Sequence, residues 1–394
     1  MKFLHSINGI LGKTLGINEL LEIGVVDPVS IVQDLDKYII GQDAAKKSIA
    51  LMLLNRSLLM LKKFGVLSPD LKLTKNNVLM LGPTGSGKTA LIKAVAEISD
   101  IPIYIYDITS TTGAGYYGSD LLDMLNEHIN YQYDYYSELY QAQTLSEEDF
   151  YNFSFDVFCK IVENSIIYID EIDKIKITRD NSKKDGWGSM LQVELLKMIE
   201  GHNVNLLNDK TRQTEKTLNK AQISNLNTEN IFFIAGGAFS GLDDIIKHRL
   251  KINNTVGFLT DYEQKLKIEK NALDFFKTED LIEYGFMPEF IGRFPIKTVL
   301  QSHTVDTLKK IMTKAHGSVY LEYIDLFKVF GVKLKFSDEA LTEIANAALK
   351  VNLGARALKS IFNEILEDKV FNIFHDTPGT MIISKTEVKK RLKL

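Results

Sequence analysis

At 394 residues the chain is long for one domain, since domains run at roughly 100–200 residues, so two or three are expected. Hydrophobic residues at 45% and charged residues at 25% match ordinary globular usage, which excludes intrinsic disorder, collagen and coiled-coil rods. Lys+Arg 47 against Asp+Glu 51 leaves a net charge of −4, so no general basic field draws the chain to nucleic acid or to an anionic membrane.

Residues 1–28 read as a short extension that ends at Asp27-Pro28, a turn or boundary signal. This stretch carries Glu19, Glu22 and Asp27 and no Arg, which argues against a transit peptide, and it is too polar for a secretory signal. Residues 44–60 place Ala45, Ile49, Met52, Leu53 and Leu59 at helical spacing. The run Val78-Leu79-Met80-Leu81 stops at Gly82-Pro83, as a buried strand entering a glycine turn does, and 89–98 then reads as a helix. Further strands are expected at 101–105, 166–169 and 231–234, with helical stretches between them. That alternation predicts an α/β fold with a parallel sheet flanked by helices.

Two stretches interrupt the rhythm: 121–164, rich in tyrosine and read as an insertion, and 206–230, rich in Asn, Thr, Lys and Gln and read as a mobile surface loop. Beyond Pro295 helical patterns dominate, at 338–350 and 355–367, before a strand-like 381–383. A large domain over 29–296 followed by a smaller, mainly helical one over 297–394 is therefore expected. The lone Cys159 excludes an internal disulfide and a Cys-rich zinc module, and fits a reducing compartment, the cytoplasm. No apolar run approaches the roughly 18 residues of a membrane span.

Gly82-Pro83-Thr84-Gly85-Ser86-Gly87-Lys88-Thr89 satisfies G-x-x-x-x-G-K-[ST] between the strand and the helix that this motif requires. Its chemistry is nucleotide binding. Backbone N–H groups turn around phosphate oxygens, the helix N-terminus adds partial positive charge, Lys88 reaches the β/γ-phosphates and Thr89 offers a hydroxyl to Mg²⁺. Ile166-Ile167-Tyr168-Ile169-Asp170-Glu171 is an apolar strand ending in two carboxylates. Asp170 suits Mg²⁺, held through water, and Glu171 suits orienting or deprotonating the attacking water, which favours hydrolysis over storage of the nucleotide.

These motifs stand in order with Lys37-Tyr38-Ile39-Ile40-Gly41-Gln42, Gly236-Gly237-Ala238-Phe239, Pro288-Glu289-Phe290-Ile291-Gly292-Arg293 and Gly354-Ala355-Arg356. Over about 31–371 the chain thereby resembles the ClpX/HslU branch of the AAA+ protein unfoldases, with the ClpX family the nearer. The resemblance implies a P-loop ATPase in which Ile39, Ile40 and Gly41 pack on the adenine. It implies that Arg293 reaches the nucleotide of a neighbouring subunit in a ring, a hexamer, and that Arg356 contacts phosphate in cis. Gly115-Tyr116-Tyr117-Gly118 looks like the family's pore loop, with Tyr117 where an aliphatic residue is usual. Tyr116 and Tyr117 would grip the substrate polypeptide. Val256-Gly257-Phe258 looks like the apolar loop that docks on a ClpP-type peptidase; read from the residues alone, it is either tucked into its own core or offered to a partner.

Departures accompany the matches. One cysteine cannot build the family's zinc-binding N-terminal domain. The tyrosine-rich stretch is longer than its family equivalent by about 20 residues, a length rarely left without structure of its own. A basic pore-entrance loop is not recognisable. The function expected is an ATP-dependent unfoldase and translocase that passes protein substrates to a ClpP-type peptidase, with no nucleic-acid or membrane partner. A stand-alone remodelling chaperone is the alternative, and a nucleic-acid motor is disfavoured by the charge.

Overall fold

Val78–Leu81 and Phe232–Gly237 are apolar or glycine throughout and buried at every position, the mark of strands covered on both faces. In the computed structural model, which describes residues 24–99, 101–110, 120–141, 155–177, 185–207, 223–252, 271–351, 354–375 and 379–393, they are the centre of a five-stranded sheet. Its strands are β1 (Val78–Leu81), β2 (Ile103–Asp107), β3 (Ile166–Asp170), β6 (Phe232–Gly237) and β7 (Ile296–Val299), in the order β2-β3-β6-β1-β7. The pairs β2·β3, β3·β6 and β1·β6 are parallel, with Ile103 opposite Ile166, Ile166 opposite Phe232 and Val78 opposite Ile234. Parallel pairing puts the carboxyl ends of the strands on one edge. There β3 delivers Asp170, and β1 passes by one peptide bond into Gly82.

The chain divides into two compact units. One contains the described residues of Met1–Val26, Leu51–Leu81 and Ser99–Thr298; the other contains those of Asp27–Ala50, Gly82–Ile98 and Val299–Leu394.

In the first unit the tyrosine-rich stretch folds largely as a helix, Asp120–Gln141, followed by a second at Phe155–Glu163. Leu121, Met124, Leu125, His128, Ile129 and Gln132 are buried at helical spacing, while Tyr131, Tyr133 and Tyr135 are exposed. The Tyr133 ring meets Phe158 edge-on at 5.6 Å, joining the two helices. His128 stacks on Tyr104 of β2 at 4.9 Å, and burial pushes its imidazole down to about 3. The stretch read as a loop, 206–230, carries strand at both ends: β4 (Asn203–Leu207) and β5 (Ile223–Asn227) pair antiparallel, Asn203 opposite Asn227. Asparagine-rich composition hid them. Residues 208–222 lie outside the described residues.

In the second unit the boundary at Asp27-Pro28 is a helix start. The Asp27 carboxylate accepts from the Val29 and Ser30 N–H groups, and Pro28 opens the helix Pro28–Tyr38. The C-terminal part is a helical cluster closed over Leu308, Met312, Phe327, Ile344, Phe362 and Ile365. It includes the expected helix Asp338–Lys350, capped by the Ser337 side chain on the Ala340 N–H. The helix expected at 355–367 runs over Ala357–Phe371, after a 3₁₀ turn at Gly354–Arg356. A parallel pair, β8 (Lys333–Phe336) and β9 (Thr380–Ile383), lies beside it.

Candidate active site

The loop after β1 is shaped by its glycines. Gly85 and Gly87 hold φ of 77° and 101°, the left-handed region that residues with a Cβ avoid. At Gly82 a Cβ would stand 2.6 Å from the Leu300 carbonyl oxygen, so only glycine fits. Lys88 opens the helix Lys88–Ile98 and is 8% exposed. Its ammonium donates to the carbonyls of Gly82 at 2.6 Å and Pro83 at 3.1 Å, which turns those carbonyls toward the lysine. Ser86 Oγ is buried with no hydrogen-bond partner among the described residues. A glycine-formed cradle with a buried, unused hydroxyl fits a polyphosphate, since burial of an unpaired polar group is otherwise costly.

The turn Gly354–Arg356 lies directly against this loop. A Cβ at Gly354 would fall 2.8 Å from the Gly85 carbonyl oxygen, and its φ is 55°. Gly85, Gly87, Lys88, Thr89, Ala90, Ala355 and Arg356 line one cavity of about 240 Å³. Lys88 and Arg356, on opposite segments, thus border one space at a helix N-terminus, an arrangement suited to anionic oxygens. Gly354→Ala is expected to cost about 1–3 kcal/mol of stability, because it overpacks a backbone contact, and to raise the KM for ATP. Chemical denaturation with parallel ATPase titration checks this; an unchanged midpoint and KM would show that the loop and turn are not in firm contact.

A second cavity, of about 230 Å³, is lined by Pro83, Thr84, Gly85, Ser86, Ser302, His303, Leu349 and Gly354. Burial holds the His303 imidazole below its usual range, against the opposing effect of its hydrogen bond to the Gly85 backbone. Ile39 is buried, and Ile40 and Gly41 are half-buried, in the segment that follows Pro28–Tyr38.

In the first unit, the tip of β3 is ordered by its own side chains. Asp170 Oδ1 accepts from the Tyr168 hydroxyl at 3.0 Å and from the Glu171 N–H at 2.9 Å. Glu171 takes φ 57° and ψ 30°, a left-handed conformation for a residue with a Cβ. Buried Asp173 accepts from the Ala238 N–H at 3.1 Å, tying the acidic motif to the Gly236-Gly237-Ala238-Phe239 segment. Arg293 ends the short helix Pro288–Gly292 between buried Phe290 and Phe294, and its side chain is 49% exposed and ion-paired to Glu200. Its carbonyl accepts from the Asn77 side chain at 2.9 Å, and the same Asn77 accepts from the Phe233 N–H at 2.9 Å. The backbone at Arg293 is thereby tied to the central sheet.

The model of the AAA domain (Cdc48 subfamily) matches residues 73–297, and that of the C-terminal, D2-small domain of ClpB protein matches residues 304–377. The chain is 36% identical over 369 residues to an ATP-dependent Clp protease ATP-binding subunit ClpX of Borrelia duttonii (strain Ly), covering 93% of this chain and 78% of the relative. The chain belongs to the ClpX family of AAA+ ATPases. The protein of the same name from Borrelia recurrentis (strain A1) gives the same identity and coverage. That of Bacteroides thetaiotaomicron is 32% identical over 368 residues, 93% of this chain and 82% of the relative.

Two family elements read in the sequence, the pore pair Tyr116-Tyr117 and the docking tripeptide Val256-Gly257-Phe258, lie outside the described residues. Among the described residues, no helix is long and apolar enough to cross a membrane. Four contributors were not legible beforehand: Asn77, Glu200, Ser302 and His303. None sits in a motif. Each acquires its role only through partners far away in sequence.

Proposed function

We propose that this ClpX-family ATPase is a protein unfoldase and translocase that threads substrate polypeptides through a ring of its own copies, a hexamer, into a ClpP-type peptidase. The observation that carries the reading is the cavity shared by Lys88, Thr89 and Arg356. Nucleotide state at the loop then acts directly on the turn that opens the C-terminal helix Ala357–Phe371. Such a turn converts loss of a phosphate into movement.

The division of labour follows the residues. Gly82 to Thr89 hold the phosphates, and Ile39, Ile40 and Gly41 pack on the adenine. Thr89 and, through water, Asp170 would hold Mg²⁺, which would supply charge neutralisation. Glu171 orients the attacking water, and Arg293 acts on the nucleotide of the adjacent subunit. Residues 29–296 act as the large ATPase domain and 297–394 as the small one. The relatives' name places them in the Clp protease, which supports a peptidase partner for this chain.

The test is a stable tagged substrate followed together with ATP consumption. Tyr116→Ala is expected to keep ATP hydrolysis within about threefold while abolishing unfolding, because an aromatic grip relies on area rather than on the nucleotide. Equal loss of both activities would remove Tyr116 from the pore. Deletion of Val256 to Phe258 is expected to spare unfolding and abolish delivery to the peptidase; unfolding without any peptidase association in the native protein would leave the stand-alone chaperone.

A further inference from the structure

Gln42 holds an unusual backbone. It follows Gly41, φ 71°, and itself takes φ 60°, although it carries a Cβ. Such a conformation costs about 1–2 kcal/mol and persists only where the surroundings hold it. Here the side chain does the holding. Nε2 donates to the Ser86 carbonyl at 3.0 Å and to the Gln301 carbonyl at 2.9 Å, and Oε1 accepts from the Gln301 N–H at 2.9 Å. One amide therefore joins three segments: the turn at 41–42, the phosphate loop and the stretch leading into the helix Val305–Lys314.

The bond to Ser86 has a stereochemical consequence. In a trans peptide the C=O and the following N–H point in opposite directions. Drawing the Ser86 carbonyl toward Gln42 turns the Gly87 N–H away from it, and Gly87 lines the phosphate cavity. A flip of this peptide would present a carbonyl oxygen to anionic phosphate in place of a donor. The flanking glycines, both left-handed, make the loop tolerant of such a flip. The restraint has to come from outside the loop.

We infer that Gln42 is a positioning residue for ATP: it fixes the Ser86-Gly87 peptide in its phosphate-accepting orientation and ties that orientation to the 301 segment. This rests on the loop being the ATP site. Two variants separate the contributions. Gln42→Met removes all three hydrogen bonds at similar volume. Gln42→Glu keeps an acceptor for the Gln301 N–H and loses the donor to Ser86.

The experiment is steady-state ATPase kinetics on the full chain, with inorganic tripolyphosphate as a base-free competitor. Both variants are expected to raise the KM for ATP about tenfold, the loss of the one hydrogen bond to the loop, while kcat falls less than threefold. The inhibition constant of tripolyphosphate rises in parallel. A purely structural role would instead lower the melting temperature and kcat together and leave tripolyphosphate inhibition unmoved, and that result overturns the assignment. Should Gln42→Met fail to fold, Gln42→Glu alone decides. A native KM in a folded variant also overturns the role of Gln42 while leaving the ATP site standing. A native protein that neither hydrolyses ATP nor binds tripolyphosphate would sink both readings.

Discussion

Glu171→Gln is expected to keep ATP binding and to lower turnover by about 10²–10⁴-fold, the range contributed by a positioned general base. The replacement preserves shape, and the Glu171 N–H remains available to Asp170 Oδ1, so the end of β3 keeps its geometry. What disappears is the carboxylate that accepts a proton or orients water. In the proposed site nucleotide affinity would rest on the other groups, above all the loop and Lys88, so a fluorescent nucleotide should titrate with native affinity. Single-turnover hydrolysis measures the loss. A rate within about twofold of native would transfer the role of base to another residue.

Arg293→Ala is expected to lower ATP turnover by about 10³-fold or more while leaving nucleotide binding in place, the scale seen when an arginine stabilises charge on a transferring phosphoryl group. The backbone here is firmly held by Asn77 and by buried Phe290 and Phe294, so truncation beyond Cβ should leave the fold undisturbed. The loss would lie in the reach of the guanidinium, which Glu200 steadies on the same chain. Mixing supplies the decisive measurement. Under the proposed reading, inactive Arg293→Ala and inactive Glu171→Gln subunits combined in one ring are expected to regain activity at sites that receive an intact glutamate from one subunit and an intact arginine from its neighbour. No recovery at any ratio would show that Arg293 does not work across a subunit boundary.

Much of the architecture was legible because burial on both faces leaves an unbroken apolar run. Val78–Leu81 was read to the residue, and β3 and β6 differ from expectation only at their ends. Strands at the margins were harder. β7 reads Ile-Lys-Thr-Val, which does not alternate, and β8 reads Lys-Leu-Lys-Phe, an alternation in which lysine masks a half-buried strand. The helix Asp120–Gln141 was obscured by tyrosines on its exposed side, although the buried stripe from Leu121 to Gln132 carries a regular helical period. At the site, the glycines, Lys88 and the carboxylates of 170 and 171 announce themselves by type and spacing. Gln42 stands at the end of the motif Lys37 to Gln42, but its task is not legible there: its partners lie 44 and 259 residues away, and only the fold brings them together.

The left-handed backbone of Glu171 sets two selective pressures against each other. Glycine adopts that conformation freely, so a mutation to glycine at this position would relieve about 1–2 kcal/mol of conformational cost while removing the carboxylate. Evolution toward thermal robustness alone would therefore drift away from a working ATPase at this site. A lineage that kept the ring only as a passive scaffold should lose this glutamate early. Any consensus or stability-guided redesign should hold position 171 constant.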